Sequence, residues 1–99
     1  MHRMTIEYAE PADPEAFETR YRDVHVPLVR AVPGLARFTI SHPRGMGGEA
    51  PYMVAELWFA DADAFTGALK SPEMAAAGAH AQGLDARMVM FSGEVVEAP

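Results

Sequence analysis

A histidine that stands two residues before an internal proline is the feature of this sequence with the clearest chemical use. His25 follows Tyr21 by four residues and Phe17 by eight, so a helix would bring the three rings to one side. An imidazole with an unperturbed pKa near ~6.5 can take or return a proton near neutral pH. Tyr21 could donate a hydrogen bond to a developing oxyanion, or it could orient His25. The spacing predicts acid–base chemistry with His25 and Tyr21 as the catalytic residues.

Pro27 is expected to bend or end the helix that carries His25. Proline has no N–H to donate, and its ring crowds the carbonyl of Asp23 four residues earlier. Val26, which precedes the proline, is expected to leave helical angles. Such a break would free backbone carbonyls for water or a ligand. The alternative is structural: His25 would hydrogen-bond the broken helix, and Tyr21 would be an ordinary core tyrosine.

The remaining reactive side chains form no recognisable site. The chain has no cysteine, which excludes disulfides, thiolate nucleophiles and thiolate metal sites. His2, His42 and His80 do not follow a metal-ligand spacing, so no metal is predicted. His42 is expected in solvent, and His80 would reach a pocket only if its Ala-rich helix covers one. The glycines at 45–48 lack the lysine and the serine or threonine of a phosphate-binding loop.

Length, composition and charge describe one small globular domain. The chain has 99 residues, of which 49% are hydrophobic, so residues 1–99 are expected to form one unit with a loose tail at 94–99. The formal net charge of −6, with no basic cluster, argues against a nucleic-acid partner. No signal peptide or transmembrane-length run is recognisable. The prediction is a cytoplasmic protein without a membrane partner.

Hydrophobic periodicity and turn residues indicate the element order βαββαβ, with the second helical region in two pieces. The expected strands are Met4–Ala9, Leu35–His42, Tyr52–Phe59 and Arg87–Ser92, and the expected helices are a first helix from Asp13 to Pro33 and shorter helices at Ala62–Lys70 and Met74–Gln82. The motif Asp-x-x-Ala-Phe at residues 13–17 recurs at 61–65, as two matching βαβ halves require. This order predicts an α+β, ferredoxin-like fold, in which helices cover one face of a four-stranded antiparallel sheet.

Local signals indicate how the elements begin and which residues face inward. Helix caps are expected from Asp13, Asp61 and Ser71. The inward residues are expected to be Met4, Ile6 and Tyr8 in the first strand, Ala36, Phe38 and Ile40 in the second, and Phe17, Tyr21, Val24 and Leu28 in the first helix.

The face of the sheet away from the helices is too aromatic for a plain solvent face. Its expected members are Thr5, Glu7, Arg37, Thr39, Tyr52, Val54, Glu56 and Trp58. Exposed patches of this kind mark contact surfaces, and two such sheets packed across a two-fold axis would close a barrel. The prediction is a homodimer through the open sheet face. Trp58 and Tyr52 could line a cavity or belong to that interface.

The first helix also carries a family resemblance. The run from Asp13 to Phe17, the pattern Tyr21-x-x-x-His25-x-Pro27-Leu28 and the closing Pro33-Gly34-Leu35 closely resemble EthD-like proteins of the dimeric α/β-barrel superfamily. The superfamily includes cofactor-free monooxygenases, lactone isomerases, polyketide cyclases and haem-degrading enzymes, so the fold alone does not choose the reaction.

The resemblance implies a small-molecule pocket between the helices and the sheet of each subunit. The residues predicted to contact a substrate there are Phe17, Tyr8, Leu28, Met53 and Trp58. Methionines such as Met53, Met88 and Met90 would suit either a core or a pocket that accepts varied apolar ligands.

Three functions are compatible with these residues. The first is a cofactor-independent enzyme that acts on a small apolar oxygenated compound, as an oxidoreductase or monooxygenase, an isomerase or a cyclase, in a degradation or secondary-metabolite pathway. His25 would be its acid or base, and no cofactor is predicted. The second is a non-catalytic accessory protein that binds a hydrophobic ligand. The third, haem binding through His25, is supported only by analogy of fold.

Overall fold

Four strands and four α-helical segments follow the predicted order in the computed structural model, which describes residues 1–99. The strands are β1 (His2–Tyr8), β2 (Leu35–Ser41), β3 (Met53–Phe59) and β4 (Met88–Glu94), and the helical segments are α1 (Pro14–Arg20), α2 (Val26–Arg30), α3 (Ala62–Leu69) and α4 (Pro72–Gln82). A π-helical turn, Tyr21–His25, joins α1 to α2. The predicted fourth strand ended at Ser92, two residues too early, because β4 continues to Glu94.

All strand pairs are antiparallel, in the spatial order β2-β3-β1-β4. Ile6 of β1 lies opposite Ala55 of β3 and Met90 of β4, which sets the register of the three strands. The predicted α+β ferredoxin-like fold is confirmed. None of the helices is both long enough and apolar enough to cross a bilayer.

The core lies between the helices and one face of the sheet. Its least exposed strand residues, each no more than 3% exposed, are Tyr8, Met53, Ala55, Leu57 and Phe59. Met4, Ile6 and Tyr8 face the helices as the alternation of β1 predicted, and all three belong to the core or pack against it. Burial of this apolar face is the main favourable contribution to folding.

Each helix after a loop begins with the predicted capping residue. An Asp13 side-chain oxygen accepts a hydrogen bond from the backbone N–H of Ala16 at 3.2 Å, and Asp61 accepts from Ala64 at 2.8 Å. Ser71 accepts from Met74 at 3.1 Å. These bonds satisfy N–H groups that the first helical turn leaves without partners.

The first helix does not break at Pro27. Val26 has helical angles (φ −56°, ψ −47°), and its N–H donates to the carbonyl of Tyr21, five residues earlier. The expectation that Val26 leaves helical angles was therefore wrong. The chain instead takes one wide π turn, which accommodates the proline by adding a residue before the next α-helical turn.

The added residue changes which side chains face inward after Tyr21. His25 and Val29 are each 4% exposed, whereas Val24 is 45% exposed and Leu28 is only half-buried. The predicted inward residues were Val24 and Leu28, and in the structure the next residue along the chain faces inward in each case. The prediction assumed a uniform α-helical period, and the π turn shifts that phase by one residue.

Two further predictions of strand faces were wrong. A bulge after Leu35 places Leu35 opposite Phe59 and Arg37 opposite Trp58, so Ala36 is an extra residue outside the inward face. Tyr52 precedes β3 and packs edge-on against Phe17 on the helix side, at 5.8 Å between ring centroids. It therefore does not share a face with Trp58.

We expect Asp61→Ala to lower the free energy of unfolding by about 1 kcal/mol, because the Ala64 N–H would lose its partner at the helix start. Urea denaturation measures the change. Asp61→Asn is the matched control, since an asparagine oxygen also caps a helix. Equal losses in the two variants would contradict a capping role.

Candidate functional site

A row of stacked rings runs along the first helix and ends on α4. The ring centroids of Phe17 and Tyr21 are 5.7 Å apart, those of Tyr21 and His25 are 4.9 Å apart, and those of His25 and His80 are 5.1 Å apart. Tyr8 of β1 meets Tyr21 edge-on at 5.7 Å. The π turn keeps these rings on one side of the helix, because it holds both Tyr21 and His25 inward.

His25 lines an apolar hollow of about 50 Å³ between α4, the first helix and the sheet. The lining residues are Met4, Ile6, Tyr8, Tyr21, His25, Val29, Leu57, Met74, Ala77, Gly78, Ala81, Met88 and Met90. None of them carries a carboxylate, an ammonium or a guanidinium group. The only polar groups among the lining side chains are two phenol hydroxyls and one imidazole.

The hollow exists because α4 presents small side chains to it. Ala77, Gly78 and Ala81 form the α4 wall together with Met74, and a Cβ added at Gly78 would meet no heavy atom within 4 Å. Larger residues at these positions would extend into the space. A volume of about 50 Å³ exceeds the ~30 Å³ share of one water in the liquid. It is far below the ~300–1,000 Å³ of typical ligand pockets.

Methionines make the remaining walls adaptable. Met4, Met74, Met88 and Met90 all line the hollow, and a methionine side chain has three rotatable bonds. Met90 is 54% exposed and lies on the edge strand β4, so the hollow approaches the surface there. Rotation of these side chains could enlarge the space without moving the backbone.

A second, open depression of about 910 Å³ lies where β1 ends and β3 and β4 begin. Glu7, Glu10, Glu49 and Arg87 give it a polar rim. Tyr8 and Met88 line both this depression and the hollow.

Burial sets the protonation of the groups in the hollow. Burial and, to a smaller extent, the neighbouring His80 together lower the pKa of His25 to about 4, so His25 is neutral at pH 7. Burial raises the pKa of Tyr8 to about 12, although its interaction with Tyr21 opposes the rise. Burial also raises the pKa of Tyr21, and Tyr8 adds to that shift. Both phenols therefore remain hydrogen-bond donors at neutral pH.

His80 contacts His25 directly, although 55 residues separate them. The two Nδ1 atoms lie 3.0 Å apart, so one nitrogen must carry the shared proton while the other accepts it. His80 is half-buried on α4, whereas His25 is 4% exposed. No hydrogen bond within the chain engages Nε2 of His25. The sequence indicated only that His80 would matter if α4 covered a pocket, as it does.

The structure brings together only part of the predicted site. Tyr8, Tyr21 and His25 line the hollow. Phe17 and Met53 are 3% and 1% exposed in the core beside it, and half-buried Leu28 on α2 does not reach it. Trp58 lies on the opposite face of the sheet, with the guanidinium carbons of Arg3 and Arg37 at 5.5 and 5.4 Å from its ring centroid. Trp58 therefore cannot line the same space as His25.

A second polar cluster lies beside Phe17 and was missed in the sequence. The Tyr52 hydroxyl donates to Glu18 at 2.8 Å, and Nε2 of His42 lies 3.1 Å from the same carboxylate. Partial burial and Glu18 raise the pKa of Tyr52 to about 12. No alternation or motif links these residues, because a loop and a helix contribute them separately. None of them lines the hollow.

Burial of a neutral imidazole makes stability depend on pH. The pKa of His25 is about 4 in the folded chain and ~6.5 when unfolded, so the unfolded chain binds the extra proton between these values. We therefore expect stability to rise with pH from about 4 to about 6.5, by roughly 3 kcal/mol for this group. His25→Gln removes the titration.

Urea denaturation of the wild type and of His25→Gln at several pH values measures this contribution. All other groups titrate in both proteins, so their effects cancel in the difference. The difference in the free energy of unfolding, wild type minus His25→Gln, should increase with pH. Parallel pH curves would show that His25 is not held neutral by burial.

Comparison with known proteins gives the family. The EthD domain model matches residues 9–84. An uncharacterized 11.0 kDa protein from the thcB–thcC intergenic region of Rhodococcus erythropolis is 40% identical over 75 residues, which are 74% of this chain and 73% of that protein. The match to the domain model includes the first helix and the hollow's α4 wall.

Solved structures agree with the fold. An EthD family protein from Bacillus halodurans superimposes with a TM-score of 0.87 at 27% identity, over 97% of this chain and 99% of its own. SnoaB, a cofactor-independent oxygenase from Streptomyces nogalater, has a TM-score of 0.72 at 18% identity, over 98% and 94% of the two chains, and shares the fold. With a matching domain model over most of its length and a relative of 40% identity, this chain belongs to the EthD domain family.

Proposed function

We propose that this protein is a cofactor-independent enzyme that moves a proton on a small, apolar, oxygenated compound, with His25 as its acid–base residue. The observation that carries the proposal is a buried neutral imidazole in an apolar hollow, with no hydrogen bond within the chain to its Nε2. A positioned histidine contributes about 10²–10⁴-fold to a proton transfer.

The low pKa of His25 limits the substrate. A base with a pKa of about 4 removes a proton efficiently only from an acidic C–H group, such as the carbon between two carbonyls. The resulting enolate oxygen would need hydrogen-bond donors in a dry site. Tyr21 and Tyr8 supply two phenol hydroxyls that stay protonated. An activated carbonyl compound therefore fits the hollow best.

Isomerisation, cyclisation or reaction of the carbanion with oxygen would all begin with this proton transfer. The shared fold with SnoaB, a cofactor-independent oxygenase, supports the oxidoreductase branch, although it does not select it. The name of the EthD family protein from Bacillus halodurans refers to ethyl tert-butyl ether, and we place the reaction in a degradation or secondary-metabolite pathway in the cytoplasm.

Two residues shared by the depression and the hollow suggest how a substrate larger than the hollow would bind. The open depression holds about 910 Å³, the hollow about 50 Å³, and Tyr8 and Met88 line both. We propose that the substrate enters past these two side chains as Met88 rotates, and that its reacting carbon approaches His25. Tyr8 is thus the one predicted substrate contact that the proposal keeps.

We propose that the active form is a homodimer through the open face of the sheet. Val89 and Phe91 lie on that face, opposite Glu7 and Thr5, and are 61% and 47% exposed. A second copy would cover these apolar side chains.

We expect His25→Ala to slow deuterium incorporation into 3-methyl-2,4-pentanedione by at least about 10²-fold, because this variant lacks the proposed base. Proton NMR in D₂O measures the rate. His42→Ala is the matched control, since it removes an imidazole outside the hollow and should leave the rate unchanged. Equal catalysis with and without His25 would refute the acid–base role. Saturable binding of the diketone without exchange would favour the accessory binding protein.

Filling the hollow should also stop the reaction. Ala81→Val adds two methyl groups at a residue that lines the hollow, whereas Ala76→Val adds them on the exposed side of α4 at a similar cost in helix propensity. We expect the same exchange assay to lose most of its rate in the first variant and to keep it in the second. Unchanged exchange in Ala81→Val would place the reaction outside the hollow.

A further inference from the structure

We propose that His80 is the proton-relay partner of His25, and that the two imidazoles carry a proton between the hollow and the surface of α4. The inference rests on the proposed function and extends it to a residue on a different helix. Its basis is the 3.0 Å contact between the two Nδ1 atoms and the different exposure of the two rings.

The geometry allows one shared proton. In the starting state, Nδ1–H of His25 donates to Nδ1 of His80, and the lone pair on Nε2 of His25 has no hydrogen bond within the chain. His80 then carries its own proton on Nε2. Both rings are neutral, as the apolar lining of the hollow requires.

Proton transfer from a substrate would reverse the direction of the hydrogen bond between the two imidazoles. The C–H bond of the substrate breaks, its electron pair stays on the carbon, and the proton binds Nε2 of His25. The Nδ1 proton of His25 moves to Nδ1 of His80, and the Nε2 proton of His80 leaves to water. His25 is again neutral and now accepts from His80. Running the same steps backwards returns a proton to a different carbon in an isomerisation.

The relay explains how a buried histidine can serve as a base. A positive charge on His25 would be poorly solvated, because the ring is 4% exposed and no carboxylate lines the hollow. The relay puts the transient charge on His80, which is half-buried and reaches solvent. The titratable groups that face His25 are His80 from α4, Tyr21 from its own helix and Tyr8 from β1. The phenols cannot take this proton, so the route leads through His80.

The relative orientation of the two imidazoles suits this transfer, because an imidazole N–H bond lies in the plane of its ring. The rings of His25 and His80 lie at 24° to each other, and Tyr21 packs on His25 from the other direction at 4.9 Å. His80 also sits one residue before Ala81, which lines the hollow. The same helix therefore shapes the space and provides the proton exit. A purely structural role would need only the hydrogen bond between the helices.

The discriminating variant is His80→Asn, because an asparagine amide can keep a hydrogen bond to Nδ1 of His25 but cannot pass a proton on. We expect deuterium incorporation into 3-methyl-2,4-pentanedione to fall about tenfold or more, with the thermal unfolding temperature close to that of wild type. In His80→Ala, added free imidazole should restore part of the rate. A full rate in His80→Asn, or no rescue by imidazole, would overturn the relay.

A second measurement does not depend on catalysis. Nitrogen-15 NMR of the histidine rings should show one proton shared between the two Nδ1 atoms. Two Nδ1 atoms without a shared proton would overturn the relay. If this pattern is found but His25→Ala exchanges the diketone as fast as wild type, the proposed function fails while the imidazole pair stands.

Discussion

One wide turn of the first helix determines where every reactive group of this protein lies. Pro27 cannot donate a hydrogen bond, and the chain responds with the Val26 to Tyr21 bond of a π turn. In a uniform α-helix, residues four apart drift by about 40° at each step, so Phe17, Tyr21, His25 and Val29 would spiral away from the sheet. The added residue cancels part of that drift. The four side chains consequently stay inward, each no more than 4% exposed.

The hollow depends on an imbalance in side-chain size between the two helical regions. The first helix fills its share of the interface with rings, whereas α4 brings three small residues, Ala77, Gly78 and Ala81, and a single large one, Met74. Close packing would normally remove such a space. Its survival beside an imidazole, with two phenols and no ionised group in its wall, is what makes the site suited to chemistry on an uncharged molecule.

Much of the fold could be predicted from the sequence, because its signals are local. Alternation gave the inward face of β1, and the caps at Asp13, Asp61 and Ser71 depend on bonds that span three residues. The candidate site was harder. The proline rule anticipates a break and contains no term for an inserted residue, so Val24 and Leu28 were expected to face inward together with Tyr21 and His25. The pairing with His80 spans 55 positions, and Tyr52 was placed by extending alternation past the end of a strand.

The methionines that line the hollow also make the proposed activity sensitive to oxidants. Four thioethers lie around the space in which the reaction would occur, and hydrogen peroxide converts a thioether to a sulfoxide. A sulfoxide oxygen is polar and adds volume. A single oxidation would therefore make the uncharged hollow smaller and favour the entry of water. Loss of activity under oxidative stress would then arise from damage at these sulfur atoms while the sheet and helices stay folded, and methionine sulfoxide reductases could reverse it.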